Sequence, residues 1–265
     1  MTRHFRTLLD FSPTELLAVL DRAAELKRTR GTPQHPKPLA NKSIAVLFDK
    51  ASTRTRLSFE VGIHELGGQP LIVISKDTQL GRGEPIEDTA RMLSRYCHGV
   101  VWRTFGHERI EALAATSTVP VINGLSDLHH PCQLLADLMT VREATGGRLY
   151  EVEVAWVGDG NNVANSWIHA AASLGMKLRL ACPEGYEPPA SVLEEARALG
   201  RGSVTIVRDP AEAVRGAHVV TTDVFTSMGQ EDEAKARMQA FAGYMVDAKL
   251  MSLADPKAIF LHCLP

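Results

Sequence analysis

Ser43-Ile44-Ala45-Val46-Leu47-Phe48-Asp49-Lys50-Ala51-Ser52-Thr53-Arg54-Thr55-Arg56 joins an apolar run to a cluster of hydroxyls and guanidiniums. Ser43 to Phe48 has the length and unbroken apolarity of a buried strand. Leu57 to Leu66 carries apolar residues at helical spacing and stops at Gly67-Gly68. A strand running straight into a helix leaves backbone N–H groups unpaired at the positive end of the helix dipole. Ser52, Thr53, Arg54, Thr55 and Arg56 around those groups make a pocket suited to a doubly charged, oxygen-rich anion such as phosphate. The plain alternative is a capped helix with two solvated arginines. This is not a nucleotide P-loop, which needs glycines to let backbone wrap a phosphate chain and a Lys-Ser/Thr pair for magnesium. One small phosphorylated metabolite suits the stretch better.

The 265 residues suffice for two domains, each with its own core. Apolar residues make up 45% and charged residues 23%, the balance of a soluble globular protein. The 29 basic and 31 acidic residues nearly cancel, so nothing points to nucleic acid or a membrane surface. No apolar run reaches the length of a membrane span, and the N-terminus lacks a signal-peptide core. Cys97, Cys132, Cys182 and Cys263 lie far apart and read as free thiols of a reducing cytoplasm.

Ser12-Pro13-Thr14-Glu15 is a capping box that opens a helix running to about Thr29. Beyond the decisive stretch, strands are predicted at 71–74, 99–102 and 119–123, with helices at 86–96 and 107–115. A helix at 134–142 runs into Gly146-Gly147, the best boundary between domains, giving a first domain of residues 1–147 and a second of 148–265. The second half repeats the alternation, with strands at 152–157, 177–181, 204–207, 218–222 and 259–261. The expected fold is α/β: two domains, each a parallel sheet flanked by helices. Ligands of such sheets bind outside the carboxyl ends of the strands, which places the active site in a cleft between the domains.

That rule turns scattered polar residues into a site. After the first-half strands come Ser52–Arg56, then Arg103, then Asp127-Leu128-His129-His130-Pro131-Cys132-Gln133. His130 and Gln133, three apart at a helix start, can both donate toward one ligand; a satisfied structural histidine is the competing reading of His130. His-His-Pro-Cys matches no usual zinc spacing, so no metal is expected. After the second-half strands come Gly158-Asp159-Gly160-Asn161-Asn162, then Asp223 to Gly229, then His262-Cys263-Leu264-Pro265. Gly158-x-Gly160-x-x-Val163 invites a dinucleotide reading but lacks the third glycine. Asp223, directly after a strand, favours a cationic substrate group, while Glu231 to Glu233 read as a solvated acidic helix start. Cys263 is similarly placed, although a buried inert thiol is the commoner fate.

Four motifs, Ser52-Thr53-Arg54-Thr55-Arg56, His130-Pro131-x-Gln133, Asp223-x-x-x-Ser227-Met228-Gly229 and His262-Cys263-Leu264-Pro265, together resemble the signatures of the ornithine carbamoyltransferases, within the aspartate/ornithine carbamoyltransferase superfamily. Their order matches across nearly the whole chain. The resemblance implies transfer of a carbamoyl group from carbamoyl phosphate to the δ-amino group of ornithine, giving citrulline and phosphate without a cofactor. By it, Ser52, Thr53, Arg54, Thr55 and Arg103 hold the phosphate, and His130 and Gln133 address the carbamoyl end. Asn162, Asp223, Ser227 and Met228 hold ornithine, and Cys263 and Leu264 line the junction of the two substrates. Trimers or multiples of trimers are implied, with Gln79 reaching a neighbouring subunit's site. Arg54, Arg103, His130, Asp223 and Cys263 are the expected catalytic set, with Cys263 coupled to Asp223 as acceptor of the amine proton.

An aspartate-specific relative would need cationic donors in the acceptor loop, where residues 221–233 offer acids and hydroxyls. Putrescine or acetylated ornithine as acceptor, a non-catalytic carbamoyl-phosphate-binding relative, and a nicotinamide-dependent oxidoreductase are the other readings. The family continues past His-Cys-Leu-Pro into a loop bearing a further carbamoyl-phosphate-binding arginine and a final helix. This sequence stops at Pro265, as a real truncation or an incomplete chain, and without those parts its activity is in question.

Overall fold

The computed structural model describes residues 2–50, 52–225 and 234–264. Ser227, Met228 and Pro265, expected at the site, lie outside the described residues. The chain divides into two compact units, Met1–Cys132 and Gln133–Pro265.

The first unit comprises α1 (Pro13–Thr29), β1 (Ser43–Phe48), α2 (Thr53–Glu65), β2 (Gln69–Ile74), α3 (Ile86–Tyr96), β3 (Gly99–Arg103), α4 (His107–Thr116) and β4 (Val121–Leu125). Its strands form a parallel sheet in the order β2-β1-β3-β4. β1 is buried from Ile44 to Phe48 because it lies inside a parallel sheet covered on both faces, hence its unbroken apolar run. One face packs Ala45, Leu47, Val100 and Trp102 against Ile110 and Leu113 of α4. The other packs Ile44, Val46, Phe48 and Val101 against Ile63 of α2. β2 is an edge strand, where Pro70 costs no ladder hydrogen bond.

β4 begins two residues later than its hydrophobic pattern predicts. Ser117 takes Val119 into a turn, its hydroxyl donating to the Val119 carbonyl (2.9 Å) and accepting the Val119 N–H (3.2 Å). A local side-chain bond thus outcompetes the start of the ladder. The N-terminal segment, unassigned by pattern, runs along β4, with Phe5 bonded to Val121 and Asn123 at 2.8 Å each.

The second unit holds α5 from Gln133 onward (α5 is Pro131–Thr145), β5 (Glu153–Val157), α6 (Asn162–Leu174), β6 (Lys177–Ala181), α7 (Ala190–Ala198), β7 (Ser203–Val207), α8 (Pro210–Val214), β8 (Val219–Thr222), α9 (Ala234–Ala240), α10 (Ala248–Met251) and β9 (Ile259–His262). The sheet is again parallel, in the order β7-β6-β5-β8-β9. α6 is buried from Val163 to Ser173, including Asn165, Ser166, His169 and Ser173, with His169 Nε2 3.1 Å from Glu195 of α7. Just after α5 in the chain, Gly146 and Gly147 both take positive φ (76° and 101°). No helix among the described residues is long and apolar enough to cross a membrane.

Candidate active site

Each sheet reverses its winding once, between β1 and β3 in the first unit and between β5 and β8 in the second. At such a switch point the connecting loops diverge to opposite faces and leave a crevice at the strands' carboxyl ends. Ser52–Arg56 and Arg103 stand at the ends of the switch strands β1 and β3, and Asn162 and Asp223 after β5 and β8, while His130 and Cys263 follow the neighbouring strands β4 and β9.

In the first unit, Phe48 pairs with Arg103, so the loop after β1 and the last residue of β3 emerge side by side. Ser52 caps α2, its hydroxyl accepting the Thr55 N–H at 3.3 Å. Arg103 Nη1 donates to Thr55 Oγ1 at 2.8 Å, which ties the arginine to the first turn of the helix. Thr53 and Arg54 are exposed in that turn. The Arg54 guanidinium makes no ion pair with any described residue, whereas Arg56 turns along the helix to Glu60 (3.4 Å). The plain reading thus holds for Arg56, while Ser52, Thr53, Arg54, Thr55 and Arg103 form a cationic, hydroxyl-rich helix N-terminus.

His130 follows β4 in the same unit. Burial, reinforced by the Arg103 charge, pushes its imidazolium down to about 3, so at neutral pH it is an uncharged N–H donor beside a fixed cation. Its loop is anchored from below. Ser126 accepts the His129 N–H (3.2 Å), and the Ser126 N–H donates to the His129 carbonyl (2.9 Å). His129 itself is buried with its ring edge-on to His107 (5.0 Å). Cys132, whose thiol burial pushes up to about 12, donates to the Asn123 carbonyl (3.4 Å) and behaves as an inert packing residue. Gln79 opens a short 3-10 turn after β2 with its side chain exposed.

The second unit carries the opposite electrostatics on the same plan. Thr222 pairs with Val157 on one side and His262 on the other, which sets Asp223 between Gly158 and Cys263. The Cys263 thiol donates to Asp223 Oδ1 at 2.9 Å, and Asn161 Nδ2 donates to Asp223 Oδ2 at 2.8 Å. Burial and the adjacent Asp223 carboxylate push the Cys263 thiol well above its ordinary range. The expected proton-accepting thiolate is therefore, in this arrangement, a thiol that already donates to Asp223. Asp223, His262 and Cys263 bring one polar atom each within 4.8 Å of one another. Leu264, expected beside Cys263, is exposed and donates its N–H to His262 Nδ1 (3.1 Å).

Asn162 begins α6, but Asn161 makes the contacts that shape the loop. Its amide oxygen accepts from Val163 N (2.9 Å) and Ala164 N (3.2 Å), while its amide nitrogen reaches Asp223. The helix terminus a dinucleotide phosphate would need is already capped. Gly160 is small for a different reason: a Cβ there would lie 2.2 Å from the Pro188 nitrogen. These two facts remove the support for a nicotinamide site. Arg237, 4% exposed, was missed by motif reasoning; it pairs with Asp159 and donates to the Phe225 carbonyl (2.6 Å). Gln133, in α5, donates to Asp137 (3.0 Å), whose carboxyl burial pushes up to about 6. One of its amide hydrogens is thereby engaged within the protein, and its carbonyl oxygen remains for a ligand.

Two parallel α/β units, one with an anion cradle beside a neutral imidazole and the other with a carboxylate–thiol pair suited to an ammonium, define a two-substrate group-transfer protein. Residues 3–143 match the carbamoyl-P binding domain of aspartate/ornithine carbamoyltransferase, and residues 150–265 match the Asp/Orn binding domain. The chain belongs to the aspartate/ornithine carbamoyltransferase family. It is 55% identical over 265 residues to the ornithine carbamoyltransferase of Pelobacter propionicus, covering 100% of this chain and 87% of that protein. It is 52% identical to the anabolic ornithine carbamoyltransferase of Pseudomonas aeruginosa, covering 99% and 85%. The structure of anabolic ornithine carbamoyltransferase from Campylobacter jejuni superposes with a TM-score of 0.93 at 42% identity, covering 100% of this chain and 86% of that one. The structure of ornithine carbamoyltransferase from Pyrococcus furiosus gives 0.93 at 45% identity, covering 99% and 85%.

Proposed function

We propose that the chain transfers the carbamoyl group of carbamoyl phosphate to the δ-amino group of L-ornithine, giving L-citrulline and phosphate. The observation that carries this reading is the opposite chemistry at the two switch points: Ser52–Thr55 with Arg103 for a phosphate, and Asp223 with Cys263 for an ammonium. Residues 1–147 act as the carbamoyl-phosphate domain and 148–265 as the ornithine domain.

The neutral δ-amine attacks the carbamoyl carbon and the C–N bond forms. Negative charge gathers on the carbonyl oxygen, where Arg54, Thr55, Arg103 and the neutral His130 can donate to it. The bond from that carbon to the bridging oxygen then breaks, and phosphate leaves with the electron pair, takes up the proton that the attacking nitrogen sheds and stays against the same cations. An oxyanion donor fixed in advance typically contributes about 10²–10³ in rate. His130 suits this because burial keeps it from competing with Arg103 for the anion as a second, mobile charge. Gln133 offers an acceptor to the carbamoyl amide nitrogen.

Free ornithine carries its side-chain amine protonated, since an alkyl ammonium titrates near ~10. Asp223 attracts that cation, with Asn162, Ser227 and Met228 holding the amino-acid end. Before it attacks, the ammonium gives up its proton: Cys263 passes its own proton to Asp223 as it takes up the amine's, which leaves a neutral δ-amine, a thiol and a protonated carboxyl. The working assembly is a homotrimer or a multiple of trimers, in the cytoplasm, with Gln79 serving the neighbouring subunit's site; the step belongs to arginine biosynthesis.

The test is citrulline formation from carbamoyl phosphate with ornithine, aspartate, putrescine and acetylated ornithine compared side by side. Turnover with ornithine far above the others is expected. Turnover with a different acceptor, or calorimetric binding of carbamoyl phosphate with no citrulline formed, would overturn the assignment.

A further inference from the structure

Arg103 emerges at an irregular point of the first sheet. The β3–β4 register shifts between Trp102 and Arg103: Trp102 pairs with Asn123 and Arg103 with Leu125, leaving Gly124 as the extra residue. Such a slip loosens the ladder's hold on side-chain direction, and a one-residue error would turn every side chain to the opposite face. Trp102 and Thr104 flank Arg103 and, by strand alternation, project to the face opposite its own.

Asp49 sits on that opposite face and holds both flanking residues. Its carboxylate accepts from Trp102 Nε1 (3.2 Å) through Oδ1 and from Thr104 Oγ1 (2.5 Å) through Oδ2. Its backbone N–H donates to the Arg103 carbonyl at 2.9 Å, so one residue grips all three consecutive positions. Arg109 completes the set: Nη2 lies 3.3 Å from Asp49 Oδ2, Nε donates to Thr104 Oγ1 (3.0 Å), and the guanidinium lies 5.0 Å from the Trp102 ring centroid. Trp102 and Thr104 are fully buried, and the Asp49 side chain is 8% exposed. A buried carboxylate with several donors is a costly feature unless each bond is kept, so this network is rigid.

We propose that Asp49 is a positioning residue for the carbamoyl-phosphate site: by pinning Trp102 and Thr104 to one face of β3, it forces Arg103 to the other, against Thr55 and the anion cradle. The inference rests on the proposed function for the identity of the anion. A lone arginine at a slipped register samples several directions. Arg103 held by its neighbours meets the phosphate without first being ordered.

The test compares Asp49→Ala, Thr104→Val and Trp102→Phe with the unaltered protein; the last two remove one donor to Asp49 each, Thr104→Val with little change of shape and Trp102→Phe with a cavity in the buried core. Misplacing a binding group by about an ångström can cost up to ~100-fold, so KM for carbamoyl phosphate and Kd for inorganic phosphate by calorimetry are expected to rise roughly 10- to 100-fold in Asp49→Ala and less in the single-donor variants. KM for ornithine should stay within about twofold, because its site is in the other unit, and Thr104→Val should cost less in the Asp49→Ala background than alone, because the hydroxyl's acceptor is already gone and only its bond from Arg109 Nε remains. A fall in thermal midpoint with both carbamoyl-phosphate KM and phosphate Kd unchanged would overturn the inference and leave the proposed function standing. If Asp49→Ala does not fold, phosphate Kd values for Thr104→Val and Trp102→Phe equal to the unaltered protein's would overturn it likewise. An unaltered protein that makes no citrulline would instead strike the proposed function, and phosphate calorimetry would still decide whether Asp49 orients Arg103.

Discussion

The two switch points use one topology for opposite ends. After β1, the Ser52 hydroxyl accepts from Thr55 N, and the exposed Thr53 and Arg54 occupy the same helix start. After β5, the Asn161 amide oxygen accepts two N–H groups and its nitrogen binds Asp223, so the helix start is closed and the field beside it is that of a carboxylate. A parallel α/β sheet supplies a crevice and a dipole; the first few residues after each strand decide whether an anion or a cation is welcome. The same contrast governs the titratable groups. Burial beside Arg103 keeps His130 neutral, and burial beside Asp223 keeps Cys263 protonated.

The strongest way to break this comparison is to remove the exposed cation from the anion-binding side. Arg54→Gly is expected to lower citrulline turnover by about 10²–10³ or more, with the circular-dichroism spectrum unchanged because the side chain is exposed and unpaired among the described residues. Near-normal turnover in the purified variant would remove Arg54 from the chemistry. On the cation-binding side, Cys263→Ser is expected to raise the ornithine KM roughly tenfold while leaving the carbamoyl-phosphate KM within about twofold, since the shorter C–O bond and the far less acidic hydroxyl disturb chiefly the contact with Asp223. Equal losses for both substrates would show that the two halves are not chemically separate.

The smallest effect sharpens the contrast through pH. In the unfolded chain His130 takes up a proton near ~6.5, whereas in the folded protein it does so only at about 3. Between those values the unfolded state binds more protons, so the stability His130 contributes is complete above about 6.5 and is lost as pH falls toward 3. His130→Asn should therefore show a shallower fall of thermal midpoint with acidification than the unaltered protein, read by scanning calorimetry from pH 7 to pH 4. Parallel curves would mean that His130 is not held neutral by burial.

Much of the architecture was readable beforehand. β1 falls on the predicted residues because a strand buried on both faces leaves a continuous apolar run, and β6 does so because Leu178 and Leu180 alternate with the more exposed Lys177 and Arg179. β4 did not, since the Ser117 turn that delays it is a side-chain bond with no hydrophobic signature. The hydroxyl–guanidinium stretch was equally legible, because a cradle made from one strand–helix junction is local in sequence. The roles of Asn161, Arg237 and Asp49 were not, because each acts through partners that the sheets bring close: Asp223 lies 62 residues from Asn161, Asp159 lies 78 from Arg237, and Trp102 lies 53 from Asp49.

By itself the amino-acid order determined the alternation of strands and helices, the charge character of each post-strand segment and the family signatures, all properties written within a few neighbouring residues. Tertiary structure alone decided which protonation states the site holds and which way its arginine points. Those depend on burial and on contacts across strands, and neither distance nor dielectric surroundings can be counted along a chain.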